Sequence, residues 1–164
     1  MHSEKQYSVI LDTSFLIRLL SAGDPLHENA LGYFKYFSEN NIPMYISTIT
    51  VAEYCVNGDV TELPLRNLCI VPFNFQHATV AGKYAKALFD ARVAKEIVVE
   101  QRVIIPNDAK IFAQAECCSD VSYFVTSDTE AAKLLSKIAE KEGVSFAHMD
   151  IHTPYTQQFG ILEM

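Results

Sequence analysis

The sequence lacks the features that mark membrane proteins, secreted proteins and zinc-binding domains. No apolar run approaches the length of a transmembrane helix. The first eight residues are polar and short, which predicts that they are not a secretory signal. The four cysteines show no metal-ligand spacing, and Cys117 and Cys118 are adjacent. We therefore expect a cytoplasmic protein without a membrane partner, whose thiols are reduced and structurally idle.

Repeats, low-complexity segments and clear linkers are also absent, and 164 residues are enough for one domain with a sizeable core. The formal net charge of −7 argues against a protein that holds long nucleic acid by charge alone. Acids gathered at a metal site would make the total negative even if basic residues lined the approach. The charge therefore leaves a nuclease possible.

Strand-like and helix-like segments alternate along the chain. Short apolar runs predict strands at 7–11, 44–46, 68–73, 122–126 and 144–149. Helical spacing predicts helices between them, with Asp24-Pro25 opening the second helix and Pro106 opening the helix before the fourth strand. The segment 90–103 fits either a strand or a helix turn around Ile97–Val99. This alternation predicts an α/β protein, a three-layer α/β/α sandwich with a mostly parallel central sheet.

We predict one domain over residues 1–149, followed by an irregular C-terminal tail at 150–164. The tail carries four large apolar residues, Tyr155, Phe159, Ile161 and Leu162. An apolar tail of this kind is expected to dock on the domain rather than extend into solvent.

Four carboxylates stand at or near the ends of predicted strands. Asp12 directly follows the first strand, and Asp128 comes two residues after the fourth. Glu53 lies in the helix after the second strand, and Asp108 lies in the first turn of the helix that leads into the fourth. Ligands of parallel sheets bind outside the carboxyl ends of the strands, so these four side chains could converge at one edge.

Each acid taken alone also has a structural explanation. Asp12 could cap the helix that runs through Phe15. Thr50–Glu53 and Ser127–Glu130 both have the form of a capping box, and Asp108 suits the dipole of a helix start. A capping role and a metal-binding role can coexist, because both occur at the beginning of a helix.

Taken together, four neighbouring carboxylates would repel one another strongly. At about 4 Å and an effective dielectric constant near 20, each pair costs on the order of 4 kcal/mol. Such a cluster needs a counter-ion, and the hard divalent cations Mg²⁺ and Mn²⁺ prefer oxygen ligands. A cation bound there would polarise a phosphodiester and lower the pKa of an attacking water.

Four segments of the chain resemble, in order and separation, the signature segments of PIN-domain ribonucleases. The segments are Val9–Ser14, Ser47–Glu53, Asn107–Ala113 and Val125–Asp128. No segment is specific alone, but the ordered set is fairly specific and spans nearly the whole chain. The resemblance implies a PIN-like fold and a metal-binding catalytic quartet of Asp12, Glu53, Asp108 and Asp128.

The same resemblance assigns supporting roles to three small polar residues. Ser14 would support the first Asp, and Thr126 with Ser127 would form the polar pair before the last Asp. The implied activity is a Mg²⁺- or Mn²⁺-dependent endoribonuclease that cleaves single-stranded RNA. Many such proteins are the toxins of toxin–antitoxin pairs, which implies a homodimer and an antitoxin protein as partner.

A working hypothesis for the chemistry divides these roles further. Asp12, Asp108 and Asp128 would hold one metal, while Glu53 would hold a second metal or orient the attacking water. Three nearby cations could hold flanking phosphates, although a solvated helix face is the better explanation for each of them. They are Arg18, Lys110 and Lys133. Glu130 could be an outer-shell acid or part of a cap.

Two other functions compete with the nuclease. A phosphohydrolase of the haloacid-dehalogenase type also has an Asp after its first strand, but it needs a second Asp where this chain has Ser14. A catalytically silent PIN-like scaffold or binding module is slightly favoured by the acidic charge. The full quartet counts against it, and metal-dependent thermal stabilisation would distinguish the two.

Overall fold

Five strands form a single parallel sheet in the structure, a computed structural model that describes residues 7–98 and 106–161. The strands are β1 (Ser8–Leu11), β2 (Met44–Ser47), β3 (Leu68–Val71), β4 (Val121–Thr126) and β5 (Ala147–Asp150). Their order across the sheet is β3-β2-β1-β4-β5, and every neighbouring pair is parallel. The predicted α/β fold with a parallel central sheet is confirmed.

Helices cover both faces of this sheet. They are α1 (Thr13–Leu20), α2 (His27–Glu39), α3 (Thr48–Tyr54), α4 (Phe75–Val93), α5 (Asn107–Cys117), α6 (Thr129–Glu142) and α7 (Tyr155–Gln158). Short 3₁₀ helices lie at Val60–Glu62 and Leu65–Asn67. No helix in the described ranges has the length and apolarity needed to span a bilayer.

The central strand β1 is buried on both faces and divides the core into two clusters. Val9 and Leu11 pack with α1 and α2 on one face, whereas Ile10 packs with α4, α5 and α6 on the other. This follows from the period of two along a strand, which sends alternate side chains to opposite faces. Residues 9–11 of β1 are all apolar, as is typical of a parallel strand that is covered on both faces.

The chain reverses its direction across the sheet beside β1. From β1 it proceeds outward through β2 to β3, and then it returns to β4 on the other side of β1. The connections that leave β1 and β4 therefore diverge to opposite faces, α1 to one and α6 to the other. A crevice opens at such a point, outside the carboxyl ends of the two strands.

The tail after β5 lies against α2 through an aromatic cluster. The ring of Phe159 stacks on that of Tyr36, with centroids 4.1 Å apart and an angle of 12° between the planes. The hydroxyl of buried Tyr33 donates to the carbonyl of Thr153 at 2.7 Å. Ile161 is partly exposed, and Leu162 lies outside the described residues.

Gly32 lets the tail approach α2 closely. A Cβ built on Gly32 would lie 2.5 Å from the Cδ1 atom of Tyr155, which is far inside van der Waals contact. In an exposed helix interior, Gly→Ala ordinarily stabilises by roughly 0.5–1 kcal/mol. We expect Gly32→Ala to give no such gain and to make the tail more susceptible to limited proteolysis, because Tyr155 must move.

Gly82 provides the matched control, since it lies inside α4 and a Cβ there would meet nothing within 4 Å. Gly82→Ala should show the ordinary gain in urea denaturation and no change in proteolysis. An equal gain in stability for both variants would mean that Tyr155 does not pack closely against Gly32.

Several predicted boundaries are wrong by a few residues. The second helix begins at His27 rather than at Asp24-Pro25, because Asp24 accepts a hydrogen bond from the amide of Leu26 in a turn before the helix. The third strand ends at Val71, before Pro72, and the fifth begins at Ala147. Helix α4 continues to Val93; the ambiguous segment is irregular as far as residue 98, and its remainder lies outside the described residues.

Candidate metal centre

All four predicted carboxylates line one cavity at the carboxyl edge of the sheet. The cavity has a volume of about 540 Å³, and its wall includes Asp12, Glu53, Asp108 and Asp128. Asp12 lies between β1 and α1, and Asp128 lies between β4 and α6, so the crevice beside β1 positions both. Helices α3 and α5 bring Glu53 and Asp108 to the same opening.

Asp12 is the most strongly fixed of the four acids. It is 4% exposed, and its two oxygens accept three hydrogen bonds. The amide of Thr13 donates to Oδ1 at 2.8 Å, while the hydroxyls of Ser14 and Thr126 each donate to Oδ2 at 2.8 Å. These donors hold the carboxylate in one orientation and also make it the cap of α1.

Ser14 and Thr126 also join the two connections that form the crevice. Their hydroxyl oxygens lie 3.1 Å apart. The amide of Ser127 donates to the hydroxyl of Ser14 at 3.0 Å, and the amide of Asp128 donates to that of Thr126 at 2.8 Å. The side chain of Ser127 instead faces Arg18, whose Nε lies 3.5 Å from its hydroxyl. The structure thus brings Ser14 and Thr126 to Asp12, whereas Ser127 contributes its backbone.

Asp128 and Glu53 are each held by part of their carboxylate. Oδ1 of Asp128 accepts from the amides of Glu130 and Ala131 at 2.8 and 3.4 Å, which caps α6. Glu53 accepts from the hydroxyl of Thr13 at one oxygen and from the side-chain amide of Asn107 at the other. Asp108, in contrast, accepts no hydrogen bond from any residue in the described ranges.

The proximity of the acids is visible in the pKa of Asp108. Burial, followed by the charges of Asp12, Asp128 and Glu53, raises this pKa from 3.8 to about 7. Burial also raises the pKa of Asp12, although hydrogen bonds from Ser14, Thr126 and Thr13 oppose the rise. Within residues 7–98 and 106–161, no ion pair involves a carboxylate of the quartet. The carboxylates of the quartet are therefore not neutralised by a direct ion pair in these ranges, although Lys110 lies on the cavity wall.

The donor set fits a hard divalent cation held partly through water. Among the described residues, the cavity is lined by carboxylate and hydroxyl oxygens, the amide of Asn107 and the ammonium of Lys110, together with Ile17 and Pro106. Within the described residues, no three His, Cys, Asp or Glu side chains lie close enough to form a complete set of direct ligands. Mg²⁺ commonly binds one or two carboxylates and keeps several waters, so it does not require three direct protein ligands.

The raised pKa of Asp108 predicts a pH-dependent stability for the metal-free protein. The folded carboxyl retains a proton that the unfolded one releases above 3.8. The stability contributed by that proton is full below pH 3.8 and is lost as the pH rises through about 7. In EDTA, the urea midpoint should therefore fall between pH 5 and pH 8. The urea midpoint of Asp108→Asn should fall less over the same pH range. An equal fall in both proteins would mean that a group other than Asp108 causes the pH dependence.

The capping explanations are resolved residue by residue. Asp12 caps α1 as expected. The two predicted capping boxes are wrong: Ser47, not Thr50, caps α3, and Asp128, not Ser127, caps α6. Both helices begin one or more residues away from the position that the pattern indicated. The two segments therefore have the residue types of a capping box but not its position at the start of the helix.

The cations near the site have different environments. Lys110 lies on the wall of the cavity, and its Nζ is 3.1 Å from Oδ1 of Asn107. Arg18 forms an ion pair with Asp24. Lys133 pairs with Glu130 at 2.6 Å, and both line a different cavity, away from the quartet. Of the three cations considered from sequence, only Lys110 lines the acidic cavity.

Two residues of the site received no role from sequence, namely Thr13 and Asn107. Thr13 directly follows Asp12, and Asn107 directly precedes Asp108. That adjacency was their only signal, because the hydrogen bonds that matter join them to Glu53, 40 and 54 residues away.

The chain matches a known protein family in sequence and known structures in fold. A family model described as PIN domain matches residues 9–137. The chain is similar to DNA-bound VapBC from Salmonella typhimurium, with a TM-score of 0.56 and 17% identity over 88% of this chain and 98% of the other. It is also similar to VapBC2 from Rickettsia felis bound to a promoter DNA fragment, with a TM-score of 0.53 and 17% identity over 87% and 98%.

A third similar structure is VapC20 from Mycobacterium tuberculosis, described as a Sarcin-Ricin loop cleaving toxin. Its TM-score is 0.50 and its identity is 18%, over 77% of this chain and 94% of the other. No curated protein matches the chain in sequence. At such identities the structural similarity establishes a common fold.

Proposed function

The chain belongs to the PIN domain family, and from this membership and the acidic cavity we propose that it is a metal-dependent endoribonuclease. Its substrate would be single-stranded RNA, and its reaction the hydrolysis of a phosphodiester bond. The observation that carries the proposal is the convergence of Asp12, Glu53, Asp108 and Asp128 on one cavity, where burial together with the charges of the other three acids raises the pKa of Asp108 to about 7.

The proposed site residues divide into fixed and adjustable carboxylates. Asp12 is held by three donors, and Asp128 is held at one oxygen by the start of α6. Asp108 has no donor among the described residues, so it can rotate towards a ligand. Mg²⁺ or Mn²⁺ bound here would supply charge stabilisation at the phosphoryl oxygens and a lower pKa for the attacking water.

The remaining polar groups would orient the substrate and the water. Glu53, held between Thr13 and Asn107, presents its carboxylate at the side of the cavity, where it can accept a proton from water. Lys110 on the cavity wall offers a cation to a phosphate that flanks the cleaved bond. The exposed Ile17 forms part of the apolar wall together with Pro106, and a base can lie against it.

We extend the proposal to a toxin of a toxin–antitoxin pair. Two of the similar structures are VapBC complexes and the third is a toxin that cleaves the Sarcin-Ricin loop. On this proposal the partners would be a cognate antitoxin protein and a second copy of the chain.

The decisive experiment is cleavage of labelled single-stranded RNAs with Mn²⁺, Mg²⁺ or EDTA. We expect metal-dependent cleavage by the wild-type protein, and its loss in Asp12→Asn and in Asp128→Asn. Asp150→Asn is the matched control, because Asp150 lies at the same edge of the sheet but outside the cavity. If varied RNAs stay intact and metal produces no thermal shift, the chain is a silent PIN-like binding module instead.

A further inference from the structure

Three residues form a wall that the acidic cavity shares with a neighbouring groove. Glu53, Asn107 and Lys110 line both. The groove has a volume of about 370 Å³, and its other lining comes from α3 and the residues beside it: Thr48, Ile49, Ala52 and Val56. Glu53 therefore stands between two open spaces, and little packing restrains its side chain on either side.

Hydrogen bonds supply the restraint that packing does not. Nδ2 of Asn107 donates to Oε1 of Glu53 at 2.6 Å, while the hydroxyl of Thr13 donates to Oε2. Nζ of Lys110 donates to Oδ1 of Asn107 at 3.1 Å. Since Lys110 can only donate, it fixes which end of the Asn107 amide faces it, and the NH₂ group is left towards Glu53.

We propose that Asn107 is a positioning residue, which orients Glu53 towards the acidic cavity and is itself oriented by Lys110. The inference rests on the proposed function, because it assigns the residue a role toward the cation and water at that site. Asn107 and Lys110 lie three residues apart on α5, so they share one face of the helix. The first turn of α5 therefore contributes one carboxylate to the cavity, that of Asp108, and holds a second one, that of Glu53, through Asn107.

A neutral amide suits this position for an electrostatic reason. A lysine paired directly with Glu53 would neutralise the carboxylate and compete with a divalent cation. Asn107 donates a hydrogen bond without carrying charge, and it keeps the Lys110 ammonium one residue farther from the quartet. The carboxylate is thus oriented while its full charge remains available.

The test measures Mn²⁺ binding from the metal concentration at half-maximal rise in Tm. Asn107→Ala should raise that concentration about tenfold or more, as removal of an outer hydrogen-bond partner typically does. Lys110→Met should raise it less than Asn107→Ala does, because it removes only the group that orients the Asn107 amide. Asn40→Ala is the control, since Asn40 directly follows α2 and its side-chain amide donates to the carbonyl of Tyr36 in that helix.

A double variant separates positioning from general damage. If Asn107 acts through Glu53, then Asn107→Ala combined with Glu53→Ala should bind Mn²⁺ no more weakly than Glu53→Ala alone. Full additivity, or a wild-type midpoint in Asn107→Ala, would overturn the proposal while leaving the nuclease proposal intact.

A second readout does not depend on metal. In the metal-free protein, the side-chain NH₂ resonances of Asn107 in a ¹H–¹⁵N spectrum should move in Glu53→Ala and stay unchanged in Asp128→Asn. If the wild-type protein shows no response to Mn²⁺, the nuclease proposal fails and this spectrum alone decides the role of Asn107. Unchanged chemical shifts of the Asn107 NH₂ group in Glu53→Ala would overturn the proposal.

Discussion

Asp108→Asn should yield a protein that withstands heat better than the wild type in EDTA and cleaves RNA at least about 1000-fold more slowly with metal. The two effects have one cause. The charged form of Asp108 is disfavoured by its burial and by repulsion from Asp12, Asp128 and Glu53 in the metal-free fold, and the neutral amide removes that repulsion together with the cost of burying the charge. The same charge is what attracts a cation, so its loss removes about 4 kcal/mol of transition-state stabilisation.

The thermal effect at pH 8 should be a rise in Tm of roughly 2–4 °C, equivalent to about 1 kcal/mol. Calorimetry and RNA cleavage on the same preparations measure both effects. Asp90→Asn is the control, because Asp90 forms an exposed ion pair with Lys86 far from the cavity. Its Tm and its activity should stay close to wild type. A lower Tm for Asp108→Asn in EDTA would contradict the repulsion argument.

Thr126→Val should destabilise the fold by about 2–4 kcal/mol and impair cleavage as well. Valine has the shape of threonine but lacks the hydroxyl that donates to Asp12 and accepts from the amide of Asp128. Thr126 is 1% exposed, so water cannot replace these partners without disturbing the core. Two broken hydrogen bonds with their former partners left unpaired account for the expected loss.

Urea denaturation and single-turnover cleavage separate the two consequences of Thr126→Val. Thr79→Val is the matched control, because Thr79 is exposed on α4 and its hydroxyl donates only to a carbonyl of the same helix. That variant should lie within about 0.5 kcal/mol of wild type. If Thr126→Val were equally mild, the hydroxyl network between β1 and β4 would not stabilise the site.

The convergence of the four acids could be anticipated from sequence because parallel strands share one carboxyl edge. Asp12 and Asp128 each follow a strongly apolar strand, so their approximate place depended only on finding β1 and β4. The family prediction, made from four ordered segments, is confirmed by the match over residues 9–137. The catalytic and metal-binding roles of the four acids remain proposals.

Boundaries and partners were less accessible to sequence. The pattern around Thr50 has the composition of a cap, yet Ser47 is the residue whose hydroxyl receives the amide of Ile49. Apolar periodicity locates the buried face of a helix but does not fix the first helical residue. Asn107 could not be identified from sequence for a different reason: its proposed role depends on a contact with Glu53, 54 residues away, and a single sequence carries no sign of such long-range hydrogen bonds.

The order of the strands has a consequence for when the acidic cavity can form during synthesis. β1 is the first described strand to be made, yet one of its two neighbours, β4, is complete only at Thr126. Asp12 and the Thr126 hydroxyl that orients it are 114 positions apart. Folding of such non-local pairs waits for the later segment to emerge from the ribosome. A nascent chain that ends before β4 would contain Asp12, Glu53 and Asp108 without the crevice that gathers them.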